Sequence, residues 1–194
     1  VEPDTELVGE STQTKSYSNI ISGVVKLSKM MADGRQQIVG LQFAPDFLGR
    51  PFRKENGVTA ETATEVNVCS FPKNVIERMI SEMPELEHKL LEQTLDELDE
   101  ARNWMLTLGR KSAAEKVASF VLLIATHAFP ENDSDSVAFD LPMSRVDIAD
   151  FLGLTMETVS RQLTKLRKED VIRIANNRHV VVPDLNHLSE RAGF

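Results

Sequence analysis

Apolar and polar residues alternate singly along the chain up to about Val68, and recur at spacings of three and four beyond it. Ser18 to Lys29 alternates around Ile21-Ser22-Gly23, Ile38 to Phe43 reads as a second strand, and Thr62 to Phe71 as a third. Asp33-Gly34 is a hairpin-turn signal, and Pro45-Asp46-Phe47-Leu48-Gly49 marks another turn. Short strands with closely spaced turns predict an all-β barrel or jelly roll. Pro72, in the first helical position, opens a helix carrying Val75, Ile76, Met79 and Ile80. Pro84 starts the longest helix, to about Leu108. On it Leu91, Leu95, Leu98, Ala101, Met105 and Leu108 form one stripe, with Glu92, Asp96, Glu97, Asp99 and Glu100 between them. That stripe fits either a helix packed on its own barrel or a coiled-coil seam between two copies, and the seam is preferred. Ser112 and Glu115 form a capping box for a helix through Val117, Phe120, Val121, Ile124 and Ala125. Pro130 to Ser136 reads as a polar surface loop.

The most informative stretch is Ser144 to Lys168. Ser144 caps a short helix with apolar positions Val146, Ile148, Ala149 and Phe151. Gly153 breaks the pattern, Leu154 follows as a buried turn residue, and Thr155 is a good N-cap for a second helix. That helix buries Val159, Leu163 and Leu166 and leaves Glu157, Thr158, Ser160, Arg161, Gln162 and Lys165 on its other face. An ordinary helical hairpin would show the same periodicity, but three features favour a DNA-reading unit. Glycine sits at the inter-helix turn. The second helix holds Arg161, Lys165, Arg167 and Lys168 against one acid, Glu157. Val171 to Ile174 and His179 to Val182 then flank Asn176-Asn177 as a β-hairpin wing.

The net charge of -8 looks wrong for such a protein, but it is unevenly placed. Residues 141–194 hold 8 Lys/Arg and 7 Asp/Glu, which leaves 14 and 23 for residues 1–140. Affinity for DNA follows the local charge facing phosphate. A single cysteine rules out an internal disulfide framework and fits a cytoplasmic protein. No run is apolar enough to span a membrane. An enzyme is not expected: His88, His127, His179 and His187 are scattered without metal-ligand spacing, and no phosphate loop or nucleophile motif is present.

Thr155-Met156-Glu157-Thr158-Val159-Ser160-Arg161 resembles the recognition helix of the CRP/FNR transcription regulators in its E-x-x-S-R form. The resemblance extends over essentially the whole chain. It implies an α+β fold: a jelly-roll β-barrel like a cyclic-nucleotide-binding domain (1–83), a dimerisation helix (84–109) and a winged helix-turn-helix (110–194). The domain boundary falls at a helix break near Gly109-Arg110, where a hinge could transmit a dimer rearrangement to the recognition helices. The resemblance also implies a homodimer on a palindromic double-stranded operator of TTGAT half-sites, with RNA polymerase as a further partner. Glu157 and Arg161 would contact bases, and Ser160 belongs to the FNR-type reading. The chemistry agrees, since Arg pairs bidentately with guanine and a carboxylate accepts from cytosine N4. Thr155, Thr158 and Lys165 complete the expected DNA face. Met156 stands where CRP-type members carry Arg, which favours FNR-type sites.

Cyclic-nucleotide binders of the family show Gly-Glu-Leu followed by Arg-Ser-Ala. Here Gly49-Arg50-Pro51 and Val58-Thr59-Ala60 stand in those places, so cAMP binding is not expected. Cys69 lies in Val66-Asn67-Val68-Cys69-Ser70-Phe71, where alternation sets it opposite Val66 and Val68. Packing is the common fate of a free cysteine. The resemblance to oxygen sensors of the alphaproteobacterial FnrL branch instead places their fourth iron–sulfur ligand at Cys69. A [4Fe–4S] cluster usually takes four thiolates, so none is expected in this chain, and a full-length protein would draw the other three from an N-terminal segment absent here. Residues could also be omitted internally, for instance near the Arg53–Gly57 turn. The alternatives are a cluster-free FixK-like regulator and a CRP-like regulator with a small-molecule effector in the β-roll.

Overall fold

The computed structural model describes residues 1–128 and 136–194. The expected polar loop from Pro130 therefore lies outside the described residues, apart from Ser136. The chain forms two compact units, Val1–Arg102 and Asn103–Phe194.

The first unit holds β1 (Glu6–Val8), β2 (Ser16–Ser22), β3 (Val24–Met30), β4 (Gln36–Phe43), β5 (Phe47–Leu48), β6 (Thr59–Thr62) and β7 (Asn67–Pro72), then α1 (Lys73–Glu82) and most of α2 (Pro84–Arg110). The strands make two antiparallel sheets, ordered β1-β6-β3-β4 and β5-β2-β7. Ile20, Val25, Leu48, Ala60 and Val66 fill the space between them. A second cluster sets Tyr17, Ile76 and Ile80 against Phe47, Phe71, Leu86 and Leu90.

Three sequence readings need correction here. Ser18 to Lys29 is two strands, not one, because Gly23 (φ +92°) turns the chain where any Cβ would meet the Glu65 carbonyl oxygen at 2.3 Å. Thr62 to Phe71 is likewise split, with residues 63–66 outside either strand. Pro72 ends β7 and stands at the N-cap of α1 rather than inside the helix.

The second unit takes the end of α2, then α3 (Ala113–Ala128), β8 (Val137–Asp140), α4 (Arg145–Leu152), α5 (Met156–Lys168), β9 (Arg173–Ala175), β10 (His179–Val182) and α6 (Leu185–Ala192). The capping box forms as expected: the Ser112 N–H donates to Glu115 Oε2 at 2.7 Å, and the Glu115 N–H to Ser112 Oγ at 3.4 Å. α3 is the central helix of this unit, with Val117, Phe120 and Val121 fully buried. Trp104 packs at a tilt against Phe151 (centroids 4.5 Å apart), which meets Phe120 edge-on at 6.0 Å. The wing is a three-stranded sheet, β8-β10-β9. Its first strand and α6 were not read from the sequence. Val171 and Ile172 are buried ahead of β9 rather than part of it.

The expected helix break near Gly109-Arg110 is present, since α2 ends at Arg110 and α3 begins at Ala113. The Lys111 N–H donates to the Thr107 carbonyl at 3.1 Å at that end of the helix. The two units divide inside α2, between Arg102 and Asn103, earlier than the expected hinge.

Candidate nucleic-acid interface

The helix-turn-helix is built by local capping chemistry. Ser144 and Asp147 satisfy the first amides of α4 reciprocally, with Asp147 N–H to Ser144 Oγ at 3.1 Å and Ser144 N–H to Asp147 Oδ2 at 3.2 Å. Gly153 ends the helix in the left-handed region (φ +62°), which glycine enters without a Cβ penalty. Thr155 then caps α5, its Oγ1 accepting from the Thr158 N–H at 3.2 Å. Val146 departs from the sequence reading: it is 53 % exposed, because it lies on the outer face of α4 while Ile148, Ala149, Phe151 and Leu152 turn inward. Leu154 is half-buried in the turn.

Val159, Leu163 and Leu166 of α5 are buried, at most 2 % exposed. With that face fixed, helical geometry turns the opposite one outward. Glu157, Ser160, Arg161 and Lys165 are exposed there, and Thr155 and Thr158 stand at its N-terminal end. A shallow hollow is lined by Ser160, Arg161, Thr164, Lys165 and Lys168. Arg161 Nη2 lies 3.5 Å from Thr158 Oγ1, and Lys165 reaches Glu169 only at 3.9 Å, so both cations are lightly held. This surface offers acceptors, donors and positive charge on one rigid helix, the form that enters a major groove.

Sequence reasoning missed Arg145. It begins α4, yet its Nη2 donates to the Asn177 carbonyl in the wing turn at 2.9 Å. Burial lowers its pKa from the usual arginine range, and Nη1 is buried without a partner. Asn176 and Asn177 both have positive φ (51° and 57°), as a tight hairpin turn demands. No sequence signal links Arg145 to a carbonyl 32 residues away.

In the first unit, Cys69 is exposed and pairs with Asn19 across β2 and β7. Val66 is in the core and Val68 packs on it, so the alternation read from the sequence holds. Among the described residues no group of three His, Cys, Asp or Glu side chains could hold a metal ion. One thiolate of the usual four is present, so these residues alone do not fit a [4Fe–4S] cluster.

The Gly49-Arg50-Pro51 turn lies against Tyr17. Glu77 Oε1 accepts from the Tyr17 hydroxyl (2.9 Å) and from the Phe52 N–H (2.8 Å), and Lys73 Nζ donates to the Arg53 carbonyl (2.8 Å). Ala60 is buried in the sheet core.

Of the expected seam, Leu91, Leu95, Leu98 and Met105 are 55, 51, 43 and 72 % exposed. Ala101 is also exposed and Leu108 is half-buried. No helix among the described residues is long and apolar enough to cross a membrane.

A β-roll followed by a capped helix-turn-helix and wing defines a two-domain DNA-binding regulator. Residues 1–83 match the cyclic nucleotide-binding domain and residues 115–191 the Crp-like helix-turn-helix domain. The chain is 60 % identical over 188 residues to a probable transcriptional activator of Rhizobium leguminosarum bv. viciae, covering 97 % of this chain and 78 % of that protein. It is 44 % identical over 179 residues to the transcriptional activator protein FnrL of Cereibacter sphaeroides, covering 91 % and 72 %. The structure of FixK2 from Bradyrhizobium japonicum superposes with a TM-score of 0.86 at 31 % identity, over 97 % of this chain and 93 % of that one. The chain belongs to the CRP/FNR family of transcription regulators, whose members bind DNA, typically as dimers, and are not enzymes.

Proposed function

We propose that this regulator binds, as a homodimer, a palindromic operator of TTGAT half-sites, with Glu157, Ser160 and Arg161 reading base edges. The observation carrying this is the outward face of α5, where these side chains stand opposite buried Val159, Leu163 and Leu166. Thr155, Thr158 and Lys165 flank them and serve the phosphate backbone. RNA polymerase is the further partner of the bound dimer, and the cytoplasm is its setting. Arg161→Ala should cost about 1–3 kcal/mol on TTGAT-bearing DNA and relax the preference for guanine. Equal losses on specific and random DNA, measured by anisotropy titration, would contradict base reading.

Cyclic AMP is not the effector in this reading: Val58-Thr59-Ala60 stands where binders carry Arg-Ser-Ala, so the phosphate would lack its charge-assisted partner. Saturable calorimetric binding at micromolar cAMP would overturn it.

The exposure of Cys69 outside the apolar core favours a response to oxygen, in which Cys69 would be one of four ligands to a [4Fe–4S] cluster. The other three thiolates would have to come from chain outside these residues. Iron and sulfide content of the natural gene product, prepared without oxygen beside its Cys69→Ser variant, tests this. About four irons per chain, lost in the variant, supports the sensor. No iron in either protein favours the cluster-free, FixK-like reading.

A further inference from the structure

A groove of about 220 Å³ opens in the first unit between the Gly49–Phe52 turn, α1 and α2. Its walls are Phe47, Phe52, Ile80 and Leu90, and Glu87 and Glu97 stand on its rim. It does not include Ile20, Val25 or Leu48 of the core cluster between the sheets.

Two features of the groove are unusual. The first is Phe52. Its φ of +63° is one a bulky aromatic rarely adopts, and the residue is 63 % exposed. The conformation is held from α1: Glu77 accepts the Phe52 N–H, and Lys73 donates to the next carbonyl. Strained residues of this kind persist only where their surroundings over-determine them, and they cluster at ligand clamps. The second is charge. No Lys, Arg or His lines the groove, while two carboxylates do. Glu97 accepts from Gln93 Nε2 at 3.1 Å and Gln42 Nε2 at 3.4 Å, yet its carboxyl pKa remains raised. Burial is the main cause, with Asp46 and Glu100 adding repulsion, although the side chain still reaches water. A cation at that rim would stabilise the charged carboxylate against both effects, and an anion would add to the repulsion.

We propose that this groove binds a small organic cation with an aromatic or aliphatic body, its ring against Phe47 and Phe52 and its ammonium group beside Glu97. Phe52 supplies a cation–π face as well as an apolar wall. The volume is below that of drug-sized sites, which limits the occupant to about ten heavy atoms. The proposal is independent of how α5 reads DNA and of any cluster.

The test uses the whole chain and two probes with matched bodies and opposite charges, 2-phenylethylamine and phenylacetate. A ligand of this size has a Kd of roughly 1 mM. The amine at ~5 mM should therefore raise the melting temperature by about 2 °C, and phenylacetate should not. Phe52→Ala and Glu97→Gln change exposed side chains, and each should abolish the shift while circular dichroism stays unchanged. Equal shifts from both probes, a shift that survives either substitution, or none with the amine at ~20 mM would overturn the proposal. Leu91 borders the groove and also belongs to the exposed stripe of α2. A Phe52→Ala variant that alters dimer dissociation but not amine response would assign the groove to a second copy and equally overturn it.

Discussion

Truncating Leu95 to alanine tests the seam on α2 directly. In the single chain Leu95 is 51 % exposed, between Leu91 at 55 % and Leu98 at 43 %. About half a leucine surface, roughly 90 Å², is thus free to be covered by a partner, worth about 2 kcal/mol at ~25 cal/mol per Å². Alanine keeps only a small part of that area, so each chain loses about 1.5 kcal/mol and the dimer about 3 kcal/mol. At 1.4 kcal/mol per decade the dimer dissociation constant should rise about a hundredfold. Sedimentation equilibrium from ~0.1 to ~50 µM measures it. Met30→Ala is the control, since Met30 is 66 % exposed but lies on β3. Because Leu95 lies outside the core clusters of the first unit, urea denaturation of dilute monomer should change far less than dimer dissociation. An unchanged dissociation constant in Leu95→Ala, or a wild-type chain monomeric at tens of micromolar, would refute the seam.

Three further outcomes are expected. Gly49→Ala should destabilise the first unit by more than about 3 kcal/mol in urea denaturation, because its Cβ would sit 2.3 Å from Cδ1 of the fully buried Tyr17 at φ +152°. A mild effect would mean that the Tyr17 ring can shift. For Glu77, burial pushes the carboxyl pKa up, but hydrogen bonds from Tyr17 and Phe52 and the nearby Lys73 outweigh it and hold the value below the ordinary glutamate range. A lowered carboxyl pKa adds stability above the ordinary value, lost as pH falls through the folded one. Wild type should therefore exceed Glu77→Gln in stability at neutral pH and lose that advantage as pH falls below the ordinary glutamate range; parallel pH curves would disprove the linkage. Arg145→Ala should free the Asn176-Asn177 turn, raising its amide exchange roughly tenfold and weakening binding to specific and random DNA alike. Unaltered exchange at residues 176–178 would show that the strands alone hold the wing.

Local chemistry made much of the DNA-binding unit legible. Ser144, Gly153 and Thr155 cap or end their helices through bonds a few residues long, and Val159, Leu163 and Leu166 select the buried face by helical period alone. Cys69 could be placed off the apolar face by strand alternation. The strand breaks were less visible. Gly23 reads as a glycine within an alternating run, and only the approach of the Glu65 carbonyl shows why the chain must turn there. The break near Gly109-Arg110, by contrast, was legible: α2 ends at Arg110, one residue past the glycine.

Sequence alone therefore determined the capped helices of the helix-turn-helix and the two faces of α5, because periodicity and capping act within a turn or two of helix. Tertiary structure decided the rest. Arg145 meets the wing, Glu77 holds the Phe52 turn, and an aromatic and two acids converge on one groove through contacts between residues far apart in the chain. Such meetings depend on how sheets and helices pack, which no local pattern encodes.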